Sequence, residues 1–448
     1  MRAHTRRFVN WARTCSSMPA ARAQPASEDG VAELVRAAAR GARVKVVGAG
    51  HSWSDIACTD GMLLSLDRLD GVLEVHEDQR EVTVEAGIRL RALNAALAER
   101  GLALPVLGSI AEQSVAGAIS TATHGSAPRL PNLAGLVTRL RMVLADGSVV
   151  DLSADRDPEL FAAARVGLGA LGVITRVTLR CVPAFRLEEI CEPMGFDEAL
   201  DKVPDLAARE EFVKLWWLPH TDSVQVFRYC RTEAPSRFRR AARWVDEAIV
   251  NRGVFALLLG AGRLWPALIP KANRLVRAAY FRPRRSVASS HQALTLAMPP
   301  SHQEIEYALP RELGAEALQR TRALVERDGL RVNFIVELRF VAGDDAWMSP
   351  DYRRDSAHLG AYMAYARDLP RYFAAFEAEM LALGGRPHWG KQFSATSDQL
   401  RAAYPEYDRF DALRRRVDPQ GMFENAFLER VFPHNSEARK LSAARSYG

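Results

Sequence analysis

Three runs of small residues stand out first. Gly48-Ala49-Gly50-His51-Ser52 follows Arg43 to Val47, an apolar stretch that reads as a strand. Glycines directly after a strand let backbone N–H groups approach a phosphate, because no Cβ is in the way. A second run, Ser120 to Ser126, contains Thr123, His124 and Gly125 and follows Ser114 and Gly117. Its hydroxyls and N–H groups suit another phosphate or a hydroxylated chain. The third, Gly167 to Gly172, leads through Val173 into another strand. One such run is commonplace, but three within about 130 residues point to a long, multi-phosphate cofactor. The Gly-x-Gly-x-x-Gly dinucleotide turn does not account for the first run. Its third glycine position is Trp53, and only about a dozen residues precede the next strand, too few for a crossover helix.

Further on, Glu337 and Arg339 alternate with Val336, Leu338 and Phe340. On a strand the two charged side chains share one face and the apolar ones take the other. Taken on pattern alone, they read as a cross-strand ion pair on an exposed sheet. His388-Trp389-Gly390-Lys391 is a compact polar and aromatic group near the end of the chain.

The elements that must position these residues are of mixed type. The spacing predicts helices over 30–41, 89–100 and 312–327, and strands over 43–47, 63–66, 304–308 and 332–340. Residues 72–75 with 81–85, and 140–144 with 149–152, read as hairpins, and 173–182 is strongly β in type. Val254 to Leu259 is an apolar patch cut off by glycines. Helices over 400–404 and 410–417 follow, the latter stopped by Asp418-Pro419. Pro183 marks the expected boundary between a first unit, 1–182, and a second, 183–385. Residues 386–448 make up the remainder. The expected class is α+β.

Composition narrows the classes of function. The chain has 448 residues, is 48% hydrophobic and 25% charged, and carries a net charge of +6. These values describe a folded globular protein, not a disordered or collagen-like one. No run of about 18 apolar residues lacks charge, which excludes a polytopic membrane protein. The five cysteines are odd in number and none has CxxC spacing, so a reducing cytoplasm is expected, without a metal centre. Arg6-Arg7 is not followed by an apolar segment, so no secretory signal is expected. Charge is unevenly placed: residues 231–285 hold 13 basic residues against Glu233, Asp246 and Glu247. The same window has Phe238, Trp244, Phe255, Trp265, Tyr280 and Phe281, a mixture suited to peripheral contact with a membrane surface. It lacks the spacing of a nucleic-acid-binding module, and no nucleic acid partner is expected.

Six motifs taken in order narrow the reading further. They are Val47-Gly-Ala-Gly-His51-Ser-Trp-Ser54-Asp55, Ala122-Thr-His124-Gly125-Ser, Gly169-Ala-Leu-Gly172-Val173-Ile, Glu337-Leu-Arg339-Phe, His388-Trp-Gly-Lys391 and Asp418-Pro-Gln-Gly421-Met-Phe-Glu-Asn425. Together, over roughly residues 10 to 432, the chain resembles flavoprotein sugar-lactone oxidoreductases of the vanillyl-alcohol-oxidase-like superfamily. That group includes the gulono-1,4-lactone and arabinono-1,4-lactone oxidases and the alditol oxidases.

The resemblance implies a vanillyl-alcohol-oxidase-type (PCMH-like) FAD-binding domain split across the N- and C-terminal segments, with an inserted α+β substrate (cap) domain. It implies FAD joined covalently through His51, in a site drawing on Gly48, Ala49, Gly50, Ser52, Ser54, Ser114, Thr123, His124, Gly125, Gly172, Val173 and His388. Oxidation of a sugar-1,4-lactone at a carbon bearing a hydroxyl is the implied reaction, with O₂ or another acceptor taking the electrons. Arg339 is then expected to polarise the substrate oxygen, Glu337 to bind hydroxyls or assist proton removal, and Lys391 to supply a cation near the flavin or substrate. Oxidation of an open-chain polyol is the alternative. However, the segment Ala357-His358-Leu359-Gly360-Ala361-Tyr362 departs from the His and Thr that alditol oxidases carry there. A dehydrogenase docked on a membrane and passing electrons to a quinone is a further alternative.

Overall fold

The computed structural model describes residues 6–39, 41–236, 253, 255–296, 300–364 and 366–433. Phe238, Trp244 and much of the basic window lie outside them, as does the end of the chain from 434.

Most of the expected elements form, with shifted ends. The first long helix is Glu28–Ala38, two residues earlier than expected, because the Ser27 side chain caps it by accepting from Gly30 N. The expected strand over 332–340 is Val336–Val341. Val332 and the next three residues stay out of the ladder, and there the Asn333 side chain bonds both backbone groups of Ala364. Of the apolar patch at 254–259, Val254 lies outside the described residues and 256–259 open a helix, Ala256–Leu264, followed by a second helix, Ile269–Tyr280.

Two sheets and one apolar core build the first unit. Ala21–Ala23 and Val44–Val47 flank Met62–Ser65 in a parallel three-stranded sheet. The second sheet is antiparallel, in the order Val149–Ser153, Val137–Val143, Val173–Arg180, Glu81–Glu85 and Val72–His76. Their shared core takes Val31, Val35, Leu64, Val82 and Val84 together with Trp389, Tyr404, Phe410, Phe423 and Phe427 from the far end of the chain. Lys45 fixes that return. It is buried, and its Nζ donates to the carbonyls of Gly169 at 3.1 Å and Phe423 at 3.2 Å. Asn425 adds a second tie, donating to the Ile56 and Cys58 carbonyls.

The middle of the chain forms one antiparallel sheet of eight strands. Its order is Arg284–Ser289, Arg186–Met194, Val224–Thr232, Phe212–Trp217, Val336–Val341, Ser356–Met363, Gln303–Pro310 and Arg386–Pro387. The period-two alternation separates two faces. Val213, Leu215, Ile305, Tyr307, Val336, Leu338, Phe340, Leu359 and Ala361 point one way, onto helices Phe196–Arg209, Gly314–Arg327 and Leu369–Ala382. The opposite face carries Lys214, Trp216, Glu337, Arg339, His358, Gly360, Tyr362, Glu304 and Glu306. Cross-strand pairing places Lys214 beside Arg339, Arg339 beside His358, and Glu337 and Glu306 on either side of Gly360. Among the described residues no helix is long and apolar enough to cross a membrane.

Candidate active site

A long cleft runs between the loops of the first unit, with about 1130 Å³ of empty space counted out to its open side. Gly48, Ala49, Gly50, His51, Ser52 and Ser54 line it, as do Ser114, Gly117, Thr121, Gly169 and Gly172. The walls come close enough to require glycine at one point, since a Cβ on Gly48 would stand 2.3 Å from Ser114 Oγ. Gly50 has φ +69°, in the left-handed region that glycine enters without strain. Among the described residues, no protein acceptor takes the backbone N–H of Ala49, Gly50, His51 or Ser52. Unsatisfied donors at the edge of a cleft are what an anionic group of a long cofactor needs, so these residues fit FAD. Burial, with Arg89 next in effect, pushes the His51 proton affinity down to about 4. The ring is therefore neutral at physiological pH, with a free lone pair.

The polar face of the large sheet supplies the chemical groups. Glu337 is 3% exposed, accepts hydrogen bonds from three neighbours and pairs with a fourth, Lys214. Trp216 Nε1 lies 2.7 Å from Oε1, Tyr362 Oη lies 2.7 Å from Oε2, Arg339 bonds Oε2, and Lys214 Nζ stands 3.8 Å away. Burial works against the charge on Glu337, but the cations of Arg339 and Lys214 overcome it and hold the carboxyl down at about 2. Glu337 is thus an ionised anchor held by three donors, and a weak base at neutral pH. Arg339 also donates to Ser109 Oγ at 2.9 Å.

Lys391 closes the face from the far side. Its Nζ pairs with Glu304, stands 3.4 Å from Glu306, and lies 4.4 Å from the centre of the Trp53 ring. Trp53 belongs to the loop that ends the first small-residue run, and its N–H donates to Gly390 O at 2.7 Å. Lys391 is thereby tied between the cleft loop and the sheet. Glu306 also meets His124 Nε2 at 2.6 Å and His358 Nδ1 at 3.2 Å, and His358 Nε2 meets Asp351 at 2.7 Å. Burial opposes a charge on His358, yet Asp351 and Glu306 raise it to about 9, so it is an imidazolium.

The structure brings Glu337, Arg339 and Lys391 to one surface and lines the cleft with Gly48 to Ser52, Ser54, Ser114 and Gly172. Other expected cofactor residues stand elsewhere. His124 does not line the cleft; Glu306 and His358 draw its ring toward the sheet. Gly125 does not line the cleft and packs against Leu107, and Thr123 accepts from Gln113 Nε2 at 3.0 Å. Val173 is fully buried in its strand, and His388 Nδ1 accepts from Gly390 N while its ring neighbours His124. Lys45, Lys214, Trp216, Glu304, Glu306 and Asp351 carry no role in the sequence reading, and His358 and Tyr362 enter it only as a departure from the alditol oxidases. Alternation was the available signal: Lys214 and Trp216 interleave with Val213, Leu215 and Trp217, and Glu304 and Glu306 with Ile305 and Tyr307.

Comparison with known proteins agrees with this architecture. Residues 177–431 match the family model for D-arabinono-1,4-lactone oxidase, and residues 19–153 match that for an FAD binding domain. The chain is 37% identical over 433 residues to an L-gulonolactone oxidase of Bos taurus, covering 95% of this chain and 98% of that protein. It is 38% identical over 432 residues to an L-gulono-1,4-lactone dehydrogenase of Mycobacterium tuberculosis, again covering 95% and 98%. Among solved structures, a solvent-stable cholesterol oxidase superposes with a TM-score of 0.81 at 19% identity, over 95% of this chain and 97% of that one, a likeness of fold. With its split FAD-binding fold and its polar sheet face, this chain belongs to the D-arabinono-1,4-lactone oxidase family.

Proposed function

We propose that this protein is an FAD-dependent oxidoreductase that oxidises a sugar-1,4-lactone of the gulono- or arabinono- type at a carbon bearing a hydroxyl. The observation that carries the reading is the shared surface of Arg339, anchored by Glu337, and Lys391, anchored by Glu304, with the cleft loop at its edge. The activities named for the relatives support it. Residues 1–182 and 386–448 form the FAD-binding unit in this reading, and 183–385 the substrate unit.

Each residue then has a physical task. The free N–H groups of 49–52 hold the phosphates, with Ser52, Ser54, Ser114 and Gly172 along the walls. The neutral His51 ring supplies the nitrogen for a covalent link. FAD, when bound, supplies the hydride acceptor. Arg339 would donate to the substrate oxygen and stabilise the negative charge it carries once its hydroxyl proton has passed to water, before hydride leaves the neighbouring carbon. Glu337 fixes the guanidinium in place for that task, and Lys391 contributes positive charge on the opposite side of the pocket.

The test is direct. Acid precipitation of the purified protein is expected to carry a yellow chromophore into the pellet, and His51→Ala to release it. L-Gulono-1,4-lactone and D-arabinono-1,4-lactone are expected to bleach the flavin absorbance under anaerobic conditions. A colourless protein that takes up no added FAD would defeat the proposal.

A second reading concerns the electron acceptor. Among the described residues, six of the nine exposed large apolar side chains lie on two successive helices and their junction: Leu257, Leu264, Trp265, Leu268, Leu275 and Tyr280. Leu257 is 75% exposed and Trp265 60%. Arg263, Lys271, Arg274 and Arg277 lie among them. This combination suits the surface of an anionic bilayer, and with it an acceptor such as a quinone dissolved there. Co-sedimentation with phosphatidylserine vesicles is expected to weaken with salt and with Leu264→Ser/Trp265→Ser. Equal partition with neutral vesicles at every ionic strength would dispose of the electrostatic docking, and no partition with either kind would leave O₂ or a soluble acceptor in its place.

A further inference from the structure

Among the described residues, Glu304 carries a buried oxygen without a hydrogen-bond partner. Glu304 is 1% exposed. Lys391 holds its Oε2, while its Oε1 is buried without a hydrogen bond. Buried polar atoms left in this state are few in folded proteins, and each calls for a cause.

The surroundings of Oε1 show what it faces. Glu304 pairs across the strands with Tyr362, and Glu306 with Gly360. A Cβ placed on Gly360 would stand 3.4 Å from Glu304 Oε1, 3.6 Å from Tyr362 Oη and 3.1 Å from Tyr362 Cε2. Both oxygens therefore border the space that any side chain at position 360 would fill. Tyr362 has already given its proton to Glu337, so toward this space it offers lone pairs. Glu304 as a carboxylate also only accepts. A notch edged by two acceptors, on the wall that carries Arg339 and Lys391, selects a group that donates.

We infer that Glu304, Gly360 and Tyr362 form a hydroxyl subsite, in which Oε1 of Glu304 accepts a hydrogen bond from a substrate hydroxyl lodged over Gly360. This inference rests on reading the site as one for a hydroxylated sugar derivative. It adds a specificity determinant beyond the Glu337–Arg339 pair. The glycine gives the hydroxyl room, and the carboxylate gives it a partner that a hydrogen or methyl group cannot use. Burial, opposed by Lys391 and reinforced by Glu306, raises the Glu304 carboxyl to about 7, so the carboxylate that only accepts is the form above that pH.

Two variants test it. In Glu304→Gln, Lys391 is a donor and retains the amide oxygen, so the –NH₂ turns to the notch and the acceptor is lost. In Gly360→Ala, a methyl group enters the notch and leaves the Glu304–Lys391 pair intact. The probes are L-gulono-1,4-lactone and xylitol, each compared with its monodeoxy analogues, followed by steady-state kcat/KM and by flavin absorbance titration. For one hydroxyl position, wild type is expected to prefer the parent over its deoxy analogue by about 10- to 100-fold, the range for a hydrogen bond to a charged group. Both variants are expected to bring that ratio close to one, through KM. Ratios that stay at the wild-type value at every position, in either variant that folds, would overturn the subsite. A ratio that collapses for xylitol, with no lactone bound, would retain the subsite and reject the lactone reading. If wild type binds neither class, both proposals fall.

Discussion

The Trp216 indole gives its N–H to Glu337 Oε1 at 2.7 Å, from the strand next to the one that carries the carboxylate. Tyr362 and Arg339 bond the other oxygen, and Lys214 stands 3.8 Å away as a second cation, so Glu337 is held ionised by its neighbours. In the proposed reaction its task is to hold Arg339 in one geometry. Glu337→Gln is therefore expected to lower kcat/KM on the order of 100-fold, the scale of a displaced catalytic group, with the acid limb of the pH–rate profile unmoved. The carboxylate, held at about 2, is ionised across the accessible range. Loss or displacement of the acid limb in the variant would show that Glu337 itself exchanges the proton.

Alternation places Glu337 and Arg339 on one face of a strand but points to an exposed ion pair, whereas Glu337 is buried; the family resemblance is what marks them as site residues. The small-residue loops were legible because glycine after a strand has few uses. What escaped was everything that depends on strand order. Nothing local indicates that Glu304, Gly360 and Glu337 come from three neighbouring strands, or that Lys214, about 120 residues away, stands beside Arg339. The strands Phe212–Trp217 and Val224–Thr232 were missed although Lys214 and Gln225 interrupt their apolar runs. His124 was assigned to the phosphate loops by its neighbours in sequence, but its partners lie 182 and 234 positions further on. Lys45 reads as an ordinary charged residue of an edge strand. Only the return of Phe423 to Val44–Val47 explains why it is buried.

His358 gives the fold a dependence on pH whose sign can be worked out. It is fully buried between Asp351 and Glu306, and its folded value of about 9 lies above the ordinary 6.5. The folded state thus binds the proton more tightly than the unfolded chain does. The resulting stability is fully present below about pH 6.5 and is lost as pH rises through about 9. A difference of this size corresponds to about 3 kcal/mol. Urea unfolding of wild type and His358→Gln is expected to show a stability gap at pH 6 that narrows by that order at pH 9.5. A gap independent of pH would mean that His358 is held neutral.

The cleft makes a prediction about two side chains that cannot both be enlarged. Gly48 faces Ser114 across the cleft wall, and a methyl group at 48 would lie 2.3 Å from Ser114 Oγ. The hydroxyl cannot swing aside freely, because it caps the helix Val115–Ser120 by accepting from Gly117 N. Gly48→Ala must therefore push the two loops apart, and the protein is expected to lose FAD on gel filtration and to melt several degrees lower, as for an overpacked site costing about 1–3 kcal/mol. Ser114→Ala removes the offending oxygen. The nearest remaining atom is then Cβ of residue 114 at 3.4 Å, an ordinary contact. The double variant is expected to retain more FAD than Gly48→Ala alone, although Ser114→Ala by itself only removes a cap and costs about 1 kcal/mol. Such a rescue is non-additive in the direction that a steric clash requires. Additive losses would locate the need for glycine at position 48 in its backbone, or in contact with the cofactor, and not in the approach of Ser114.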